Sequence, residues 1–169
     1  MDQTIFLSER TQVRLELKAA LGRKLPTDGR IGAWSPGEVF HHILLTNQSS
    51  QNLLSRLFAK AKNLPLDPLV DWPVRPELRD FPQDKAFSIV AFPGTEPEFG
   101  LGGKDLESIE IRVDAGFREL LELTSRFRLE ALSFPHPLAG RMNFYEWLVF
   151  GVVHERLHLD LLLKDLGPA

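Results

Sequence analysis

SPGEVFHHILLTNQSSQNLLSRLFAKAKNLP, residues 35–65, is the stretch from which the fold class is read. Its opening has the form of a helix start. Ser35 stands at the N-cap, Pro36 takes the first helical position, where no N–H is required, and Glu38 can close a reciprocal capping box. Pro65 stops the pattern. The spacing predicts a helix from 36 to about 62.

Working outward, three more stretches carry helical periodicity, and nothing repeats internally. Upstream, about 7–22 places Val13, Leu17, Ala20 and Leu21 on one side, with Leu15 off that stripe, and ends at Gly22. Downstream, about 105–133 shows Leu106, Ile109, Val113, Phe117, Leu120, Leu121 and Phe127 at three- and four-residue spacing, then halts before the turn SFPHPLAG. The last begins at NFYE, where Asn143 and Glu146 make a second box-like start, and runs to Leu166 before Gly167 and Pro168.

Between the second and third helices, 64–103 holds seven of the twelve prolines and closes in GLGGKD. That length exceeds a simple connection between antiparallel neighbours, so the segment is expected to cross the bundle and pack on its outside. Within it AFSIVAF, 86–92, reads as a short strand or an apolar strap; Trp72, Phe81 and Phe92 either lid a pocket or cover the bundle. Four long helices joined by one long Pro-rich crossover predict an all-α bundle, a single domain over 1–169.

Composition narrows the function. With 169 residues, 43% hydrophobic and 25% charged, the chain is long enough for a core and globular in make-up. A net charge of -3 offers no clustered basic surface, so nucleic acid is not the expected partner. Cysteine is absent, which excludes disulfides, thiolate ligands and a cysteine nucleophile and fits a reducing cytoplasm. The opening MDQTIFLSERTQVRLELKAALG has no basic start followed by an apolar block, and no run approaches the roughly 18 apolar residues of a membrane span; neither a signal peptide nor a membrane partner is expected.

Helical geometry then sorts the histidines. At about 100° per residue, His42 shares a face with Val39, Thr46, Leu53 and Leu57 and points at the core, whereas His41 shares its side with Gln48, Asn52 and Ser55 and is expected in solvent. His154 and His158, four apart, stack on one face of the last helix near Trp147, Phe150, Leu157 and Leu161, and Gly151 is expected to leave space beside their rings. Three imidazoles therefore aim at one interior. An apolar wall cannot satisfy their ring nitrogens, and a divalent metal would give all three a partner at once. Three His plus a water suits zinc, and imidazole also suits nickel, iron or copper. The plain alternative is a bundle whose core histidines bond to carbonyls or water. His136, between two prolines, reads as structural, and Arg156 as solvated.

His154, Glu155 and His158 also spell H-E-x-x-H, the zinc-peptidase register in which the Glu is general base. Such peptidases take a third ligand downstream, and LDLLLKDLGPA after His158 holds no His or Glu. The third ligand is therefore expected upstream, at His42. Glu155 is left with three readings: a base, a hydrogen-bond partner of a ligand, or a solvated side chain.

WSPGEVFHHI, 34–43, resembles the W-S-x-x-E-x-x-x-H-[LI] opening of the second helix in the DinB/YfiT-like superfamily, which aligns His42 rather than His41 with the ligand. HPLAGRMNFYEWLVFGVVHERLH, 136–158, is similar to that superfamily's passage from an HP-x-x-G turn through an EWL-like segment to H-x-x-x-H. These stretches cover about a fifth of the chain, and helix number and the long second crossover agree over the rest. There are two departures: Leu161 stands where a Gln is common, and Asn47 where a Glu is common.

The resemblance implies a four-helix bundle of up-down-down-up topology, often a homodimer, with a three-His divalent metal site. Relatives include transferases and isomerases that use low-molecular-weight thiols such as bacillithiol, mycothiol or glutathione. The expectation is accordingly a zinc or nickel protein, with Glu155 as candidate catalytic residue, that acts on a small-molecule substrate by thiol transfer or hydrolysis. The rival expectation is a metal-stabilised bundle without catalysis, serving in stress response or as an interaction module.

Overall fold

The computed structural model describes residues 1–21, 34–79 and 94–166. Among them are four long helices, α1 (Gln3–Leu21), α2 (Pro36–Lys60), α4 (Gly103–Thr124) and α5 (Phe144–Leu166), one short helix α3 (Pro76–Arg79), and a hairpin of β1 (Ser133–His136) with β2 (Gly140–Asn143). The chain is mostly helical, as its periodicity predicts. The stretch 86–92, with Phe81 and Phe92, lies outside the described residues.

Helix starts follow their local chemistry. The Ser35 backbone N–H donates to Glu38 Oε2 at 2.6 Å and the Glu38 N–H to Ser35 Oγ at 3.3 Å, so both halves of the capping box form, with Pro36 at the first position. Such a cap stabilises by about 1 kcal/mol. The box before α5 forms in the same way: Glu146 N–H donates to Asn143 Oδ1 and Asn143 N–H to Glu146 Oε2, both at 3.0 Å. α1 begins earlier than its apolar stripe suggests, because the Asp2 carboxylate accepts the Ile5 N–H at 2.8 Å and nucleates a turn upstream.

The expected helix over 105–133 ends at Thr124 instead. Beyond it the backbone is claimed by tertiary partners. Arg128 N–H donates to the Pro65 carbonyl at 2.9 Å, and buried Leu129 donates to Tyr145 Oη at 3.1 Å. SFPHPLAG then forms the turn of the β1–β2 hairpin, closed by Gly140 at φ 70°. His136 organises that turn: its Nδ1 accepts the N–H groups of Leu138 and Ala139 at 3.2 and 3.1 Å, and its ring packs on Phe150 and Trp147. The structural reading of His136 stands.

The core runs between the long helices. α5 packs against α1 and α2, and α4 packs against α2. Phe6, Leu17, Ile43, Leu44, Leu54, Leu120, Phe144, Tyr145, Leu148 and Leu159 are buried there, each contributing roughly 1.5–3 kcal/mol. Trp72, from the crossover, belongs to this core. Its ring lies 5.3 Å from Phe6 and 5.2 Å from Tyr145, and its N–H donates to the Met1 carbonyl. Nearby Arg75 pairs with buried Glu146 at 2.6 Å, tying the crossover to the first turn of α5. No helix among the described residues is long and apolar enough to cross a membrane.

Candidate metal centre

His42 of α2 and His154 and His158 of α5 converge. One ring nitrogen from each lies within 4.8 Å of the other two. The ring centroids are 5.3 Å apart for His42 and His154, 5.0 Å for His42 and His158, and 4.5 Å for His154 and His158. Trp34 sits against His42 at 5.0 Å, and Phe150 stacks on His154 at 6.2 Å. His42 and His158 are buried and His154 partly so.

Hydrogen bonds define which nitrogens are available. His42 Nδ1 is 2.7 Å from the Thr95 carbonyl, which can only accept, so Nδ1 carries the proton and Nε2 keeps its lone pair. His154 Nε2 and His158 Nε2 face each other at 3.0 Å. Two nitrogens bound about 2.0–2.1 Å from one zinc ion, at angles between square and tetrahedral, would stand roughly 2.9–3.4 Å apart. The observed separation falls in that range. The Nδ1 atoms of both rings are buried without a partner among the described residues. Three ring nitrogens this close together are a donor set that could hold a divalent ion.

Burial keeps these rings neutral. It holds His154 well below the usual imidazole range and His158 down to about 3; neighbouring imidazoles add to both effects. His42 is lowered as well by burial, against an opposing pull from the Thr95 hydrogen bond. His41 and His136 are lowered for the same first reason. Neutral imidazole is the ligating form. The sign for stability follows. A histidine whose folded pKa lies below 6.5 binds fewer protons folded than unfolded, so stability is lost as pH falls through 6.5 towards the folded value. Metal-free protein is expected to melt at a clearly lower temperature at pH 5.5 than at pH 7.5. Equal melting temperatures in a calorimetric pH series with chelator present would contradict this.

Glu155 is fully buried, which removes the solvated reading. Its carboxylate accepts Arg14 Nε at 2.9 and 3.0 Å and Asn47 Nδ2 at 2.6 Å, and Arg14 Nη2 is 2.6 Å away. Arg14 also approaches Glu110 of α4 at 3.7 Å, and Lys18 meets Glu110 at 3.1 Å. All four long helices thus share one polar network, which includes the neighbour of His154 in the chain. Arg156, expected in solvent, is half-exposed and pairs with Glu16 at 2.6 Å.

Two expectations about this region change. Gly151 does not open space beside the rings: a Cβ there would stand 3.0 Å from Asn47 Oδ1 and 3.5 Å from Phe117, so the glycine admits α2 and α4 side chains to α5. His41 is not in solvent but 3% exposed, and its Nδ1 accepts the Glu98 N–H at 3.0 Å. The helical wheel sees only the core side of α2, and the returning end of the crossover covers the other. Thr95 and Glu98 carried no motif. Arg14 had a fainter signal, a charge beside the Val13–Leu17 stripe, but nothing in the sequence named its partner.

A surface hollow of about 510 Å³, lined by residues including Arg75, Arg141 and Glu146, contains none of the three histidines. Compared with known protein families, residues 9–162 match the model of the DinB superfamily. Comparison with curated proteins and with solved structures gives no match.

Proposed function

The chain belongs to the DinB superfamily, and from that premise we propose that it is a metal-dependent protein in which His42, His154 and His158 hold one zinc or nickel ion and a small-molecule substrate is processed by thiol transfer or hydrolysis. The observation that carries this reading is the convergence of three ring nitrogens within 4.8 Å. A bound divalent ion would favour deprotonation of a water or thiol at the open position.

The chain's own residues supply the rest. The Thr95 carbonyl sets the His42 tautomer and aims its Nε2 inward. Phe150 and Trp34 flank the rings and limit water. With no cysteine in the chain, a reacting thiol has to come from a soluble cofactor such as bacillithiol, mycothiol or glutathione. We read the fold as a single-domain four-helix bundle of up-down-down-up topology. Support comes from the packing of α5 on α1 and α2, of α4 on α2, and the ion pairs from α1 to α4. A cytoplasmic homodimer is part of the same proposal.

A second reading, a metal-stabilised bundle without catalysis in stress response or protein interaction, is favoured by one observation. Glu155, the candidate base, has its carboxylate taken by Arg14 and Asn47. Turnover separates the two. Zinc- or nickel-loaded protein is incubated with each thiol and an activated aryl halide, and separately with an ester. The enzymatic reading expects thioether or acid formation that stops with chelator and in His158→Ala. Bound metal with no metal-dependent product from any pair leaves the non-catalytic reading.

A further inference from the structure

Residues 94–98 return from the crossover across α2 in alternating register: Thr95 and Pro97 are buried, Glu96 and Glu98 exposed. Two hydrogen bonds fasten this short run to adjacent residues of α2, and they have opposite polarity. His42 Nδ1–H donates to the Thr95 carbonyl at 2.7 Å, and His41 Nδ1 accepts the Glu98 N–H at 3.0 Å. Each role is forced by its backbone partner, since a carbonyl cannot donate and an amide cannot accept. His41 therefore holds its proton on Nε2 and, with Nδ1 occupied, is a fastening rather than a ligand.

We propose that residues 94–98 form a strap whose closure over α2 is linked to metal occupancy, with His41 acting as a positioning residue for His42 through Glu98 and Thr95. The inference rests on the metal reading above. An ion on His42 Nε2 requires the proton on Nδ1, which is the tautomer the Thr95 carbonyl accepts, so metal and strap stabilise the same state of one ring. Without an ion only the Thr95 carbonyl holds the proton on Nδ1, and a shift to the other tautomer breaks that bond. Linkage makes the effect mutual: closure of the strap strengthens metal binding by the same factor by which metal favours closure. His41 holds Glu98, three residues along the strap from Thr95, so it acts on His42 at one remove.

The test measures zinc affinity by chelator competition and amide hydrogen exchange over 94–99, in wild type, His41→Phe and His41→Asn. Asn restores an acceptor near the Nδ1 position; Phe keeps the bulk and removes it. Zinc is expected to slow exchange at Glu98 and its neighbours in wild type. His41→Phe should bind zinc about tenfold more weakly, as loss of outer hydrogen-bond partners typically does, and lose that slowing, while His41→Asn should recover most of both. Exchange over 94–99 that is indifferent to zinc, or His41→Phe with wild-type affinity, overturns the proposal. The wild-type exchange result stands even if His41→Phe fails to fold. A wild-type protein that binds no zinc overturns the metal reading and this one together; one that binds zinc with an unresponsive strap overturns this one alone.

Discussion

Replacing His42 by Ala is expected to reduce bound divalent metal from about one ion per chain to near zero, read by elemental analysis of folded protein. The effect is large because the remaining donors, His154 and His158, come from one helix, and the third lone pair is supplied across the interface by α2. Two helical imidazoles leave half of a tetrahedral shell to water. His136→Gln is the control: its ring nitrogen Nδ1 is engaged by the hairpin backbone, so metal content should be unchanged. Wild-type protein should also gain stability on zinc addition, by about 2.7 kcal/mol at a hundredfold excess over Kd. Retention of stoichiometric metal by His42→Ala, or a wild-type protein that takes up none, would defeat the proposed centre.

Glu155→Ala is expected to destabilise the protein by about 3–5 kcal/mol in urea unfolding, whatever its effect on turnover. The substitution leaves the Arg14 guanidinium buried, with Glu110 at 3.7 Å as its nearest remaining carboxylate in this network, and deprives the Asn47 amide of its acceptor. The cost is the uncompensated charge and not the worth of the ion pair, so Arg14→Met with Glu155→Leu in one chain should recover most of the loss. A loss under about 1 kcal/mol for Glu155→Ala would mean that water reaches Arg14 and that the network does not join the helices. Glu155→Gln with intact folding then asks the catalytic question separately, since it keeps the acceptor oxygen and removes the negative charge.

The histidine centre was largely legible before any coordinates. His42 follows from the helix start at Ser35 and the rotation per residue, and His154 and His158 from their four-residue spacing, because helical period converts sequence distance into direction. The same rule misassigned His41. Rotation tells which side of α2 faces the other helices, and it says nothing about a segment some fifty residues later that lies over the opposite side. Gly151 failed for a related reason: a missing side chain signals close approach, but not by whom.

Local chemistry in the sequence determined the beginnings of α2 and α5, the turn at Gly140, the apolar stripes and the inward direction of the three candidate ligands, since capping, glycine conformation and periodicity act within a few residues. Tertiary structure alone decided that α4 stops at Thr124, that Glu155 is matched by Arg14 from 141 positions away, and that His41 and His42 are bonded to Glu98 and Thr95. Those outcomes depend on which buried donor meets which acceptor once the helices have packed. Desolvation makes such a match obligatory in the folded protein, while leaving no periodic trace in the chain.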